Sequence, residues 1–412
     1  MKITLLSTSD QSGGAAIACM RLADALHDFG HEVRLLVMEK RGNHPRVIEV
    51  APHRRKIDGL LKDIQYAWNK RFLIKPGFGF SANPWWDHAL HTHPTIQDAD
   101  VLNLHWINHG FIGLDALRKL FALQKPMIWH MHDYWAFTGG CHYPGSCTHF
   151  ETGCGHCLAL RKQGAQDLSR QQWLQKQALF QLNPPVLVGA SAWLTQEAAK
   201  SALVQSTAAQ AQHICNPIDL TYYTAADKAA VRTAMGLSPH KKYVLFAAMN
   251  TADPRKGFNQ LISALKTLEG ELAQTTELLV AGKTNLKLIA DTSFKVHFLG
   301  ALNQDGMRNA YRAATAFVIP SLEENLPNTI LESLACGTPV AGFEVGGIPE
   351  MVQHGRNGFL APVGDAAALG NAIRSTLLLS ESSLNTASSI LAFESSVIAE
   401  KYTVLANGLL KM

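Results

Sequence analysis

Short apolar runs alternate along the chain with segments in which apolar residues recur every three or four positions. A short apolar run bounded by turn residues predicts a buried strand, whereas the wider spacing predicts an amphipathic helix. The first pair joins a strand at residues 3–6 to a helix that ends at Gly30. The alternation restarts with a strand at residues 243–248 and a helix over residues 258–268. This repeated order predicts two α/β domains with parallel sheets.

The same patterns predict the remaining elements. Further strands are predicted at residues 33–37, 101–105, 127–130, 185–189, 277–281, 296–299, 315–319, 339–343 and 358–362. Further helices are predicted at residues 168–183, 191–203, 327–336 and 365–379. The Ser-rich segment 380–396 predicts a bend.

Composition narrows the class of protein. A length of 412 residues and 47% hydrophobic residues suit a globular protein of two or three domains. A net charge of +4 is too small to indicate nucleic-acid binding, although it suits an anionic small ligand or membrane surface. No signal-peptide core opens the chain, no apolar run approaches a membrane span of about 18 residues, and seven cysteines suit a reducing compartment. We therefore expect a cytoplasmic protein.

The stretch 321–343 combines a loop and a helix between two predicted strands. Pro327 suits the first helical position, and Gly337 followed by Pro339 provides the stop signal. The helix N-terminus would then present backbone N–H groups to an anion such as a phosphate. Glu324 and Glu332, with seven residues between them, could hold sugar and ribose hydroxyls on either side of a diphosphate. The alternative is a loop acid and a solvated acid on an exposed helix.

A glycine-rich turn, Ser12-Gly13-Gly14, follows the first strand. Glycines let a backbone approach a ligand closely, but a tight turn needs them as well. The spacing G-x-G-x-x-G is absent, which disfavours a nicotinamide-dependent dehydrogenase.

His132 and Asp133 follow the strand predicted at residues 127–130. An imidazole at the carboxyl end of a strand can donate a hydrogen bond to a sugar hydroxyl and titrates near neutrality. Asp133 could orient His132 or contact a ligand. A single histidine is more often structural, so both interpretations stay open.

Four of the seven cysteines lie within 17 residues, in the pattern C-x5-C-x6-C-x2-C, at Cys141, Cys147, Cys154 and Cys157. In a reducing compartment such a cluster favours a structural zinc site, with free thiols and an iron–sulfur cluster as alternatives. His142, His149 and His156 are interspersed.

Basic and aromatic residues are mixed over residues 40–75, and Trp85-Trp86 follow. The mixture could contact an anionic membrane interface or a lipid-diphosphate acceptor. The alternative is that the charges are solvated and lie on helices whose aromatic side chains face the core. Asp98-Ala99-Asp100 has the D-x-D form of a metal motif, but acids at the start of a strand are common and we discount it.

Four motifs occur together in the chain: the E-x7-E pair Glu324 and Glu332, LESLACGTPV at residues 331–340, GGIPE at residues 346–350 and DPRKG at residues 253–257. Together they resemble the motifs of the family 4 retaining glycosyltransferases that use nucleotide sugars. The resemblance covers nearly the whole chain and is nearest to enzymes of bacterial exopolysaccharide and colanic acid biosynthesis. It implies a GT-B fold, in which two Rossmann-like domains with parallel sheets face each other across a cleft.

The resemblance also implies roles for individual residues. His132, Lys256 and Glu324 would be catalytic, with Lys256 neutralising the leaving diphosphate. His132 and Asp133 would lie on the acceptor side. Relatives place an arginine where this chain has Asn250, and Arg255 is a candidate substitute or a solvated residue. The donor site would comprise Gly13, Gly14, Asn250, Arg255, Lys256, Leu302, Glu324, Asn325, Leu326, Pro327, Asn328, Thr329 and Glu332.

Asn216-Pro217-Ile218-Asp219 resembles the N-G-x-D at the family's domain crossing, with Pro217 in place of glycine. We therefore expect an acceptor domain over residues 1–217, including the Cys-rich loop 141–157, and a nucleotide-sugar domain over residues 218–393. Residues 394–412 would form a helix that crosses back to the first domain.

The implied function is transfer of a sugar, with retention, from a UDP- or GDP-type donor to a glycan or lipid-linked oligosaccharide in surface polysaccharide biosynthesis. No cofactor is expected for the chemistry, zinc at the four cysteines is a structural expectation, and peripheral contact with the inner membrane is a further one. The alternatives are a sugar-nucleotide epimerase of the same fold, which would need no acceptor, and a non-catalytic, metal-stabilised binding protein.

Overall fold

The computed structural model describes residues 1–74, 79–283, 292–379 and 386–411. By contacts between Cα atoms the chain divides into two compact units. The N-terminal unit contains residues 1–217 and 396–412, and the C-terminal unit contains residues 218–395. Lys75 and part of the bend predicted at residues 380–396 lie outside the described residues. No helix within the described ranges is long and apolar enough to cross a bilayer.

The N-terminal unit is built on a seven-stranded parallel sheet in the order β3-β2-β1-β4-β5-β6-β7. Its strands are β1 Lys2–Ser9, β2 Glu32–Glu39, β3 Val47–Glu49, β4 Val101–Leu104, β5 Met127–Met131, β6 Val186–Gly189 and β7 Gln210–His213. Its helices are α1 Gly14–Asp28, α2 Arg55–Asn69, α3 Pro94–Asp98, α4 Leu114–Phe121, α5 Leu168–Leu182, α6 Ala192–Lys200 and α7 Ala202–Gln205.

The C-terminal unit has a six-stranded parallel sheet in the order β10-β9-β8-β11-β12-β13. Its strands are β8 Lys242–Asn250, β9 Thr276–Lys283, β10 Val296–Gly300, β11 Ala316–Ile319, β12 Val340–Phe343 and β13 Gly358–Ala361. Its helices are α8 Lys228–Ala234, α9 Phe258–Lys266, α10 Glu269–Leu272, α11 Gln304–Ala313, α12 Asn328–Ala335, α13 Ile348–Met351 and α14 Ala366–Leu378. The last helix, α15 Ser395–Leu409, belongs to the N-terminal unit from Ser396 onward.

Each sheet contributes to its own apolar core. In the N-terminal unit the core includes Leu102 and Trp129 of the central strands and Leu117 and Phe180 of the helices that cover them. The corresponding core of the C-terminal unit is formed between its strands and helices such as α9 and α14. The predicted fold class of two parallel-sheet α/β domains is therefore confirmed.

Two predicted helices differ in detail from the structure. The helix predicted at residues 191–203 is interrupted at Ser201, whose backbone is extended and whose hydroxyl accepts the N–H of Val204 at 3.3 Å to begin α7. The helix predicted at residues 327–336 begins only at Asn328, because Pro327 has an extended ψ of 119° and precedes the first turn. The sequence pattern did not predict β7, which is an edge strand with polar and partly exposed residues.

Candidate nucleotide-sugar site

The sheet order of the C-terminal unit reverses between β8 and β11. Ligands of open parallel sheets bind at the carboxyl ends of the strands, where the strand order reverses. The segment 253–257 follows β8, and the segment 321–328 follows β11. Both motifs singled out in the sequence therefore lie at the position where this fold binds ligands.

Two glycines bring the loops of this edge together. Gly257 has a φ of 68°, and a Cβ atom there would lie 1.7 Å from the carbonyl oxygen of Pro320. Gly346 has a φ of 57°, and its Cβ atom would lie 1.8 Å from the carbonyl oxygen of Glu324. Both positions require glycine, since a side chain would clash with backbone as well as adopt a left-handed conformation. The loops after β8 and β12 are thus packed against the loop after β11.

An ion pair joins Lys256 to Glu324, with 2.5 Å between Nζ and Oε2. The hydroxyl of Ser321 also donates to Oε2 of Glu324, at 3.4 Å. Glu324 is buried, whereas the Lys256 side chain is about one third exposed. Lys256 lies in a short 3-10 turn, Pro254–Lys256, and Gly257 separates it from α9. The structure therefore brings together two residues that the sequence motifs place 68 positions apart.

Glu332 is buried, so the alternative of a solvated acid on an exposed helix is wrong. The hydroxyl of Tyr311, on α11, donates to Oε2 of Glu332 at 2.9 Å. Burial and, secondarily, the charge of Glu332 hold the pKa of Tyr311 well above its usual value. Tyr311 therefore remains a hydrogen-bond donor at neutral pH and fixes the Glu332 carboxylate. Sequence reasoning missed Tyr311, because its pairing with Glu332 is a contact between helices.

The helix α12 begins beside these carboxylates. Pro327 occupies the N-cap position of α12, and no side chain of the described residues caps this end of the helix by a hydrogen bond. The N–H groups of a first helical turn have no partner inside the helix, and the dipole makes this end attractive to an anion. Asn328 and Thr329 supply the first N–H groups of α12, at the carboxyl end of β11. The arrangement is suited to binding phosphate oxygens.

The other residues expected in the donor site have varied surroundings. The guanidinium of Arg255 pairs with Asp253, with 2.7 Å between Nη2 and Oδ2, rather than standing in solvent. Asn250 accepts the N–H of Ala252 at 3.0 Å and shapes the loop after β8. Asn325 and Leu326 are buried, and Leu302 is half-buried just before α11.

In the sheet of the N-terminal unit, the strand order reverses between β1 and β4. Gly13 caps α1 with a φ of 93°, and a Cβ atom there would meet nothing within 4 Å. The backbone conformation, rather than crowding, accounts for glycine at this position. Gly14 is the first residue of α1.

His132 belongs to a cluster of three histidines at the ends of β4 and β5. Its Nε2 lies 3.0 Å from Nδ1 of His105, and the rings of His105 and His130 stack with centroids 4.9 Å apart. Burial and, secondarily, the neighbouring His130 hold the pKa of His132 well below its usual value. Burial likewise lowers the pKa of His130 to about 4. His132 is therefore neutral at pH 7.

Asp133 is fixed by several donors. Its Oδ2 accepts the indole N–H of Trp106 at 3.0 Å and lies 2.7 Å from Nδ1 of His142, and its Oδ1 accepts the N–H of Trp135 at 2.8 Å. Nε2 of His142 in turn lies 2.7 Å from the hydroxyl of Ser81. These contacts orient Asp133 and leave His142 engaged on both ring nitrogens.

The four clustered cysteines have different neighbours in the structure. Among the described residues no three His, Cys, Asp or Glu side chains are grouped as metal ligands. The Sγ atoms of Cys141 and Cys157 are 3.9 Å apart, whereas Sγ of Cys154 accepts the N–H of Gly139 at 3.1 Å. All seven cysteines are free thiols. Zinc at Cys141, Cys147, Cys154 and Cys157 therefore stays a prediction, for which metal analysis of purified protein is the direct check.

Comparison with solved structures identifies the fold. Sucrose-phosphate synthase from Thermosynechococcus elongatus matches with a TM-score of 0.67 and 19% identity, over 99% of each chain. Anabaena Alr3699/HepE in complex with UDP-glucose matches with a TM-score of 0.64 and 19% identity, over 99% of this chain and 100% of that chain. The protein has the GT-B glycosyltransferase fold.

Two models of glycosyltransferase families match separate parts of the chain. The model of glycosyltransferase family 4 matches residues 12–178, and that of the glycosyl transferases group 1 matches residues 241–378. Together the two models match about three quarters of the chain, and both describe glycosyltransferases. The D-inositol 3-phosphate glycosyltransferase of Mycobacterium sp. (strain KMS) is 33% identical over 172 residues, which are 39% of this chain and 38% of that protein. The match thus spans about two fifths of the length of this curated relative.

Proposed function

We propose that this protein transfers a sugar from a nucleoside diphosphate sugar to a hydroxyl group, with retention of anomeric configuration. The observation that carries the proposal is the ion pair between Lys256 and Glu324 beside the start of α12 and the buried Glu332. A cation and a helix N-terminus suit a diphosphate, and two fixed carboxylates suit the hydroxyls of a sugar and a ribose. UDP is the first nucleotide to test, since the similar Anabaena protein binds UDP-glucose.

The proposed chemistry is substitution on one face of the sugar. The bond from the anomeric carbon to the diphosphate oxygen breaks, and a bond to the acceptor oxygen forms on the same side. The acceptor proton passes to the leaving diphosphate. Lys256 and the N–H groups of α12 stabilise the negative charge that develops on this leaving group. Glu324 orients the donor sugar, Glu332 holds the ribose, and neutral His132 donates a hydrogen bond on the acceptor side.

We further propose a glycan or lipid-linked oligosaccharide acceptor in surface polysaccharide biosynthesis. The support is the resemblance of the chain to the family that carries the motifs at residues 253–257, 331–340 and 346–350, in which enzymes of bacterial surface polysaccharide biosynthesis are the nearest in kind. Because Lys256 and α12 supply the positive charge, we expect EDTA to leave the turnover number unchanged.

Kinetics of nucleotide release test the proposal. Lys256→Ala should lower kcat, because it removes a charge needed mainly in the transition state, whereas Glu332→Ala should raise the donor KM. Lys256→Arg, which keeps the charge, is the matched control. Unchanged kcat and kcat/KM in Lys256→Ala would contradict the role of Lys256. Conversion of the donor without any acceptor would favour the epimerase alternative, and an inverted anomeric signal in the NMR spectrum of the product would contradict retention.

A further inference from the structure

The helix α2 has its polar side turned inward. Its buried residues are Asp58 and Gln65. Gln65 donates to the carbonyl oxygens of Ala82 and Asn83 at 3.3 and 3.0 Å, and Asp58 lies 3.6 Å from the guanidinium of Arg54. A surface helix of a globular protein ordinarily buries its apolar stripe instead. The polarity of α2 is therefore inverted.

The outward side of α2 is an apolar stripe, which we call the α2 face. Its members are 44% to 61% exposed and follow one another at intervals of three, four and four residues: Ile57, Leu60, Ile64 and Trp68. Side chains at these intervals lie along one side of a helix. Four large apolar side chains in one row form a contiguous patch, unlike isolated exposed residues, and such patches mark interaction surfaces.

Neighbouring residues extend the patch beyond the helix. Trp85, itself 56% exposed, packs edge-on against Trp68 with ring centroids 5.7 Å apart. A cavity of about 330 Å³ opens beside this pair and is also lined by Phe72 and Leu168. The two exposed indoles therefore border an open, mainly apolar recess. The alternative from the sequence, in which the aromatic side chains of this segment face the core, is wrong for Trp68.

Basic residues flank the α2 face. The ammonium of Lys70 lies 4.7 Å from the ring centre of Tyr66, and the guanidinium of Arg71 lies 4.8 Å from that of Trp68. Lys56 is exposed at the other end of the helix, and Asp63 is the exposed acid between them. Apolar and indole side chains bordered by cations suit the interface of a bilayer that carries anionic lipids.

We propose that the α2 face docks on an anionic lipid bilayer. A second copy of the chain fits the charges less well. In a symmetric dimer the same patch meets itself, so Lys70 and Arg71 of both copies would be brought to one interface. Charged residues are depleted in the cores of protein interfaces, whereas anionic headgroups neutralise them. Docking on lipid does not depend on the proposed transferase activity, so it can be tested separately.

Vesicle co-sedimentation tests the proposal. The protein should sediment with vesicles that contain two thirds phosphatidylcholine and one third phosphatidylglycerol. It should bind vesicles of pure phosphatidylcholine only weakly. The variant Leu60→Gln/Ile64→Gln should bind the anionic vesicles at least tenfold more weakly. Its neutral substitutions remove apolar area without adding a repelling charge. The matched control is Val404→Gln/Leu378→Gln, which changes two exposed apolar side chains elsewhere and should bind as the wild type does.

Further outcomes would overturn the docking surface. Equal vesicle binding by the α2 variant and its control would contradict it, as would no binding by wild-type protein. Light scattering that shows a dimer for the wild type and a monomer for the α2 variant would assign the face to a second copy. Near-UV circular dichroism checks that both variants remain folded.

Discussion

At the scale of single residues, the candidate site depends on polar groups whose partners lie far away in sequence. Glu332 and Tyr311 are 21 positions apart, and Lys256 and Glu324 are 68 apart. Each carboxylate is buried and accepts a hydrogen bond, so each is held in one orientation. The positioning groups should therefore influence donor binding even where they do not contact the donor.

The variant Tyr311→Phe tests whether the hydrogen bond that positions Glu332 influences donor binding. Loss of a hydrogen bond to a charged group costs about 1.5–3 kcal/mol, so the donor KM should rise roughly tenfold or more while kcat changes little. Tyr243→Phe is the control, because the buried Tyr243 hydroxyl donates to the Ser238 carbonyl in the same unit, at 3.2 Å. Steady-state kinetics with varied donor measure both variants. Equal donor KM values in the two would contradict the positioning role of Tyr311.

The histidine cluster predicts acid sensitivity of folding. The pKa of His130 is about 4 in the folded chain and about 6.5 when unfolded, so the unfolded state binds the extra proton between these values. This contribution to stability is complete above pH 6.5 and is lost as the pH falls toward 4, by up to about 1.4 kcal/mol per pH unit.

Urea unfolding from pH 7 to pH 5 measures that loss of stability. His130→Gln should flatten the dependence of the unfolding free energy on pH relative to wild type. The substitution also removes contacts with Asn216 and Tyr402, so the variant should be less stable at pH 7 as well. Parallel pH profiles for the two proteins would contradict the buried neutral histidine.

At the scale of elements, glycines permit the contact between the loop after β8 and the end of β11. Gly257→Ala should destabilise the protein by more than the about 1–2 kcal/mol of a left-handed alanine, because its Cβ atom also meets the Pro320 carbonyl. Gly364→Ala isolates the conformational cost, since Gly364 has a φ of 83° and open space around its Cβ position. Equal unfolding free energies for the two variants would contradict the close approach.

The sequence predicted most of the elements but not all of their contacts. Apolar runs in strands such as β4 and β11 gave correct types, because buried parallel strands are apolar along their length. The polar edge strand β7 has no such run. The inverted polarity of α2 could not be predicted from the sequence either. Periodicity shows that a helix has an apolar and a polar side, but it does not show which side is buried.

At the scale of the whole molecule, the resemblance in a few short motifs correctly indicated the GT-B fold, which the comparisons confirm. Roles of individual residues remain proposals, because short motifs specify neither the substrate nor the contacts made with it. The pairing of Arg255 with Asp253 and the hydrogen bonds of Asp133 illustrate this, since both depend on tertiary neighbours.

Donor binding tests the central claim most directly. We would measure thermal unfolding of the wild type, Glu332→Ala and the exposed-acid control Glu400→Ala with UDP-, GDP-, ADP- and CDP-sugars and NAD. A ligand at one hundred times its Kd stabilises the folded state by about 2.7 kcal/mol. The account predicts that one class of sugar nucleotide raises the Tm of the wild type and the control but not of Glu332→Ala. No shift with any sugar nucleotide, or a shift with NAD alone, would contradict it.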